Sequence, residues 1–598
     1  MKKVTLFKII SISFPFFLIV LMEIVLRMSG YGENYQLFHI LKNVNKPDYL
    51  VMNPDIAKKY FNDKNFHSDC QSDLFLKTKT DNTFRIFVQG ESSVVGFPYY
   101  YGGSFPRMLK HRLSQTFPEK NIEVVNTGMT AVNSYTLWDL TDEIIKQKPD
   151  LVIIYAGHNE YYGALGAGSS ISSGSHPSLA RTYLFLKNFR FFQMLDNGYT
   201  RIFNQVNNNP KSGKASLMEK MAREQNIPYN SKVYYAGLNQ FESNLEKILN
   251  KYKKNNIPVI LSTLVSNEKD IKPFISESIN DKNQFTEDLE QKKPEANYLA
   301  QKNAMAAYIL GHYYLQENLD TARKYLLIAK ELDLLRFRAP EKINDVIVDL
   351  AKKYEYPLVD MKGIFLSHSP QGVIGDELLL EHVHPNVKGQ FIMADAFYNK
   401  IKELGLLSNW DNYISFDEAF QDIPISEIDS LKGKLIIDYM RKSWPFDLSM
   451  AGKPTYLPTL SGNPTYEQKA ALQLCSGTVA WKDLMFQAFQ KYDQEGAYEK
   501  GLHVAESLVL EFPAQGEMYR YAGTMCVKLN DLKKAAYYIL KYNKLEKSSL
   551  SARQLATIYI MLNKREDALK TLLDAKNRGI NDENLNKLFK ETSQMPPK

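Results

Sequence analysis

The sequence predicts an α/β fold for the middle of the chain. Three layers are expected: a parallel sheet covered by helices on both faces, with a helical insertion before its last strand. An all-α repeat domain follows it, and a transmembrane helix precedes it. Three observations carry this. Five short apolar, β-rich runs are separated by amphipathic helical patterns, small residues recur every 33 or 34 positions in the C-terminal third, and an apolar segment lies behind three lysines at the N-terminus.

That segment is Ile9 to Leu26, eighteen residues broken only by Glu23, with Lys2, Lys3 and Lys8 in front. At about 1.5 Å per residue it crosses one bilayer. The basic flank stays in the cytoplasm, so residues 1–28 read as a signal anchor. The bulk of the chain then lies outside the cytoplasm, periplasmic or in the cell envelope. A cleaved signal peptide is the rival, but its apolar region is shorter and ends in a small-residue site, whereas Met22-Glu23-Ile24-Val25-Leu26-Arg27 stands here. Residues 29–83 read as a polar connector without a clear period.

The five strands are expected at Phe84–Gln89, Ile122–Asn126, Leu151–Tyr155, Pro258–Val265 and Pro357–Asp360. Helical patterns lie between them at Gly103–Phe117, Leu137–Lys148 and Tyr234–Lys253, where apolar residues fall three and four apart. Strands alternating with helices make crossover units and a parallel sheet, giving an α/β domain over 84–402. Two segments interrupt the pattern. Residues 163–178, "GALGAGSSISSGSHPS", read as a mobile loop near a site. Asn303–Asp333 reads as a helical hairpin inside an insertion spanning about 296–340.

After a linker at 403–465, Gly501, Ala535 and Ala568 fall 34 and 33 residues apart. Each opens the second helix of a pair, and Gly523 and Ala556 sit where two helices must approach closely. Over 466–590 this spacing resembles the tetratricopeptide repeat, which implies a concave surface for a protein partner. A generic helical bundle is the alternative. The inserted hairpin carries a similar pattern at Gly311 and Ala322.

Composition excludes several classes. With 44% hydrophobic and 12% aromatic residues the chain is globular. The net charge of +7 is scattered, with no basic arm, so nucleic acid is not an expected partner. Cys70, Cys475 and Cys526 have neither metal-ligand spacing nor a disulfide framework.

In an open parallel sheet, ligands bind beyond the carboxyl ends of the strands. The first strand ends at Gly90-Glu91-Ser92-Ser93, the second just before Gly128, and the third at Gly157-His158-Asn159-Glu160. After the fifth comes Glu381-His382-Val383-His384-Pro385. These are the parts for acyl transfer through a serine. Ser92 is a poor nucleophile without a base, and His384 is in place to be that base. Glu381 would hold the imidazole. The N–H groups of Ser92 and Gly128 and the Asn159 amide would meet the oxyanion. No G-x-S-x-G elbow surrounds Ser92, so an α/β-hydrolase is not expected.

These four blocks, in this order, resemble the SGNH (GDSL-type) hydrolases over roughly residues 84–205 and 230–402. The resemblance implies a flavodoxin-like three-layer domain and an esterase without a cofactor. It also implies Ser92 as nucleophile and oxyanion donor, Gly128 and Asn159 completing the oxyanion hole, and His384 as base. Glu stands at 91, 160 and 381 where the family carries Asp. The first two flank the chemistry and are expected to matter less. The third bears on the triad itself: Glu381 serves as the acid, or the site works as a Ser–His dyad or is impaired.

Further readings concern the rim. Arg336 and Arg338 either bind an anionic substrate or make salt bridges; Tyr161 and Tyr162 either form an aromatic wall or pack. His382 and His384 as a metal pair lack a third ligand by spacing, so no metal is expected. The function expected is a membrane-anchored ester hydrolase acting on an acyl ester, for example of an envelope lipid or acetylated glycan. An acyltransferase using the same residues, and a scaffold working through its repeats, are the alternatives.

Overall fold

The computed structural model describes residues 2–42, 48–61, 68–169, 176–206, 217–291, 293–454, 456, 459–580 and 582–596. Of the Gly/Ser-rich stretch, residues 170–175 lie outside them. The five strands are β1 (Thr83–Gly90), β2 (Asn121–Asn126), β3 (Leu151–Tyr155), β4 (Val259–Ser262) and β5 (Leu358–Val359). They pair in the order β2-β1-β3-β4-β5, every pair parallel. β1 and β3 are buried along their whole length, as near-continuous apolar strands of a sheet covered on both faces must be.

The crossover after β1 runs to one side of it, and the crossover after β2 runs back past it. Right-handed crossovers then put helix Phe105–Thr116 on one face and helices Ser134–Lys146, Lys232–Lys254 and Glu341–Tyr354 on the other. The contacts agree: Phe105–Thr116 packs on Val387–Glu403, while Lys232–Lys254 packs on both Ser134–Lys146 and Glu341–Tyr354. The reversal in strand order therefore falls between β1 and β3, which opens a crevice at their carboxyl ends.

Residues 29–83 are more than a connector. Strands Phe38–Leu41, Tyr49–Met52 and Phe75–Leu76 form an antiparallel sheet. Phe38 and Phe75 meet Phe87 of β1 at ring separations of 5.8 and 5.5 Å, which welds this sheet to the α/β core. The expected linker at 403–465 likewise contains helices Phe416–Gln421 and Glu427–Arg441. Ala419 of the first is buried with the α/β core and Ile428 of the second in the core of the C-terminal helices.

The C-terminal region is all helical. Three helix pairs follow one another: Trp481–Glu495 with Tyr498–Glu511, Gly516–Lys528 with Leu532–Glu546, and Ser549–Met561 with Arg565–Asn577. Gly523 faces Ile539 of the next helix at a distance no side chain would allow, and Ala535, Ala556 and Ala568 are fully buried. The insertion contains helices Ala304–Tyr314 and Leu319–Leu332, with Gly311 against Leu326.

Charged groups join the repeats to the α/β domain. Arg107, fully buried, donates to Asp73 at 3.0 Å and to Glu511 at 2.7 Å. The Lys534 ammonium sits between Asp422 and Glu506, beside His111. The Tyr101 ring stacks on Trp481 at 3.9 Å.

At the N-terminus, helix Lys2–Met28 contains one apolar window, Ser11–Met28, long enough to cross a membrane, with none of it buried inside the protein.

Candidate active site

Ser92 opens a four-residue helix, Ser92–Val95, where β1 ends. Gly90 is required just before it, because a Cβ there would collide with the Tyr155 carbonyl and with Val94. The hydroxyl of Ser92 lies 2.6 Å from His384 Nε2. On the other side of the ring, Nδ1 faces Glu381 Oε1, which also accepts from the His384 backbone N–H at 3.0 Å. Glu381 is completely buried. Its second oxygen, Oε2, meets Nδ1 of His382. One carboxylate thus lies between two imidazoles, which are nearly perpendicular with centroids 6.0 Å apart.

Burial pushes the His384 imidazole down to about 3 and holds His382 well below its ordinary range, with His384 adding to the effect. Both rings are neutral at ordinary pH, and that of His384 gives its one proton from Nδ1 to Glu381. Nε2 of His384 is left to accept the proton of Ser92. Such an arrangement can withdraw that proton as the oxygen attacks, and can stabilise the imidazolium through Glu381. Phe97 packs on the base, its ring 4.7 Å from that of His384.

The segment after β3 brings in the amides. Gly157 sits at φ +142°, a conformation that favours glycine. The carboxylate of Glu91 reaches across from β1 and accepts from the N–H groups of Gly157 at 3.1 Å, His158 at 3.0 Å and Asn159 at 3.3 Å. Glu160 fixes the same segment from behind. It accepts from the N–H of Ser134 at 2.7 Å, the Ser134 hydroxyl at 3.0 Å and the Gln240 amide at 2.7 Å. Burial pushes the Glu160 carboxyl up to about 7. The Glu91 carboxyl is held well above its usual range by burial and by Glu160 beside it.

Asn159 and Ser92 are each partly exposed, so the site opens to solvent at the β1/β3 crevice. Among the described residues, neither the Asn159 side-chain amide nor the Ser92 N–H has a hydrogen-bond partner, which leaves both able to donate. Gly128 differs. Its N–H donates to Asn126 Oδ1 at 2.9 Å, while Asn126 Nδ2 bonds the Val94 carbonyl at 2.6 Å. An asparagine two residues earlier thus occupies the expected oxyanion donor, which can serve only by sharing or leaving that bond.

The rim residues lie elsewhere. Arg336 and Arg338 are buried, 2% and 4% exposed. Arg336 donates to the carbonyls of Ile227 and Glu331; Arg338 donates to those of Asn267 and Ile271 and to Asp333 at 2.9 Å. These arginines staple loops together and are not presented to a substrate. Tyr161 is fully buried, with its hydroxyl on the Tyr234 carbonyl at 2.9 Å, so it packs and forms no wall. Tyr162 does the same through the Glu224 carbonyl. His158 is buried and accepts at Nδ1 from the Ala339 N–H.

Glu91 and Glu160, expected only to flank the chemistry, hold the loop after β3 in place, and His382, weighed only as half of a metal pair, lies against Glu381. The signal for the first two was an acid directly beside a strand-end glycine or amide, where backbone donors converge. For His382 it was a second histidine flanking Glu381.

No family model matches the sequence, and no curated protein matches it. Among solved structures the chain is similar to a GDSL-like lipase from Bacteroides thetaiotaomicron, at 12% identity and TM-score 0.26, over 54% of this chain and 88% of that one. It is also similar to an acetylxylan esterase from Geobacillus stearothermophilus, at 16% identity and TM-score 0.27, over 55% and 95%. A further acetyl xylan esterase aligns at 13% identity and TM-score 0.26, over 53% and 100%. The chemistry rests on the site geometry rather than on these distant likenesses.

Proposed function

We propose that the chain is a membrane-anchored serine ester hydrolase of the SGNH type, facing away from the cytoplasm. The observation that carries this is the Ser92–His384–Glu381 chain: Nε2 2.6 Å from the Ser92 hydroxyl, and Nδ1 on a completely buried carboxylate. The Ser92 oxygen attacks the acyl carbonyl as its proton passes to His384 Nε2. The Ser92 N–H and the Asn159 side chain receive the oxyanion, with Gly128 joining if its bond to Asn126 opens. The tetrahedral intermediate expels the alcohol, which takes the proton from His384 and leaves an acyl-enzyme. Water, activated by the same imidazole, then releases the carboxylic acid. If a sugar hydroxyl replaces that water, the product is a transferred acyl group.

Helix Lys2–Met28 supports the anchored reading. An outward-facing enzyme on a membrane fits envelope substrates, an esterified lipid or an acetylated glycan. Pairs of helices that start at closely similar intervals support a tetratricopeptide-like array holding a protein partner.

The test uses the full chain in detergent with p-nitrophenyl esters of increasing acyl length and with an acetylated oligosaccharide, beside Ser92→Ala. Turnover that disappears in the variant supports the assignment. Turnover that survives in a folded variant removes it. Running the reaction with a sugar acceptor and weighing the products separates hydrolysis from transfer.

A further inference from the structure

The N-terminal apolar helix is tied to a distant part of the chain. The chain turns at residues 187–190 between helices Pro177–Leu186 and Arg190–Val206, and this turn is bonded to the end of the apolar span. Glu23 Oε2 accepts from the Phe191 N–H at 2.8 Å, and Arg27 donates to the Asn188 carbonyl at 3.1 Å. Glu23 and Arg27 also pair with each other at 2.7 Å. Glu23 lies three residues before Leu26, so its backbone is only about 4–5 Å inside the end of the apolar segment. A bilayer that surrounds the span must therefore meet the turn tied to Glu23.

The side chains around that turn suit such a place. Phe185 and Phe189 are 57% and 39% exposed and touch edge to face at 5.4 Å. Leu179 and Leu195 on the flanking helices are 60% and 51% exposed. Large apolar groups this open to water beside a membrane span mark a surface that something covers. Aromatic rings and apolar helix faces are what the interfacial zone of a bilayer takes up.

We propose that helices Pro177–Leu186 and Arg190–Val206 form a second, in-plane membrane contact, with Phe185, Phe189, Leu179 and Leu195 seated among the lipid headgroups and upper acyl chains. The inference rests on the anchored reading of the N-terminal helix and extends it. The α/β domain is then held against the lipid surface at two places and does not swing freely on one helix.

The test places the full chain in nanodiscs whose lipids carry bromine either just below the headgroup or near the bilayer centre. Single tryptophans are introduced as Phe17→Trp, Phe185→Trp, Phe189→Trp and Leu448→Trp, and quenching is read as the difference from the parent chain. Phe17 lies in the middle of the span, and Leu448 is an exposed residue remote from it in sequence. The expected result is loss of Phe17→Trp fluorescence to the deep bromines, loss of Phe185→Trp and Phe189→Trp fluorescence to the shallow ones, and none from Leu448→Trp. If Phe17→Trp is quenched and both turn variants behave like Leu448→Trp, the anchor stands and the second contact is overturned. A turn signal that shifts to shorter wavelength without quenching means a protein covers the patch, which also overturns it. If Phe17→Trp itself is not quenched, the anchored reading fails and the proposal fails with it.

Discussion

Replacing Glu381 by glutamine tests the site at its most informative point. The carboxylate accepts from Nδ1 and the backbone N–H of His384 on one oxygen and meets Nδ1 of His382 on the other. An amide keeps the size but offers only one accepting end, so one imidazole faces an N–H. If that imidazole is His384, its proton moves to Nε2, and Ser92 loses the acceptor 2.6 Å away. Loss of the acid with the wrong tautomer typically costs a serine triad about 10³- to 10⁴-fold in kcat, or about 4–5.5 kcal/mol of barrier. The assay is p-nitrophenyl ester turnover against pH, with a thermal melt to show that the fold persists. In the parent, burial pushes the His384 imidazole down to about 3. The acid limb of kcat/KM should therefore lie below the ordinary histidine value of about 6.5. Removing the carboxylate disfavours imidazolium, so in the variant the limb moves to lower pH and not higher. A Glu381→Gln enzyme within about tenfold of the parent, beside a dead Ser92→Ala, would refute the triad and leave a Ser–His dyad.

Other expectations follow from the same contacts. Asn159→Ala removes a side chain that donates to nothing in the resting site, so kcat should fall about 100- to 1000-fold with stability unchanged; steady-state kinetics with a melt decides it. Glu91→Ala strands three backbone N–H groups and should destabilise the fold by about 3 kcal/mol in urea titrations, since each buried orphan costs about 1–3. Lys534→Met leaves Asp422 and Glu506 facing each other without their shared cation. A loss of about 3 kcal/mol, and faster proteolysis between the α/β domain and the repeats, should result.

Much of this architecture is legible in the chain, because the signals are local. Each of the five strands appears where an apolar, β-rich run stands, although β4 ends at Ser262 rather than Val265. Helix starts are set just as locally: the side chains of Asn303, Asn318 and Ser231 accept from N–H groups in the first turns of the helices they precede. Non-local contacts are what the sequence hides. Arg336 and Arg338 look like surface charges until the carbonyls of Ile227, Asn267 and Ile271 converge on them from distant loops. Glu91 looks peripheral until β3 ends beside it. The three short strands of 29–83 offer too few alternating residues to reveal a period.

The most direct test of the central claim is covalent. The full chain is treated with a fluorophosphonate, which reacts only with a serine whose proton a base can take, and the modified peptide is located by mass spectrometry beside His384→Ala. The expected result is a label on Ser92 that disappears in the variant. A folded parent that stays unlabelled, or a variant labelled at the parent's rate, would contradict it.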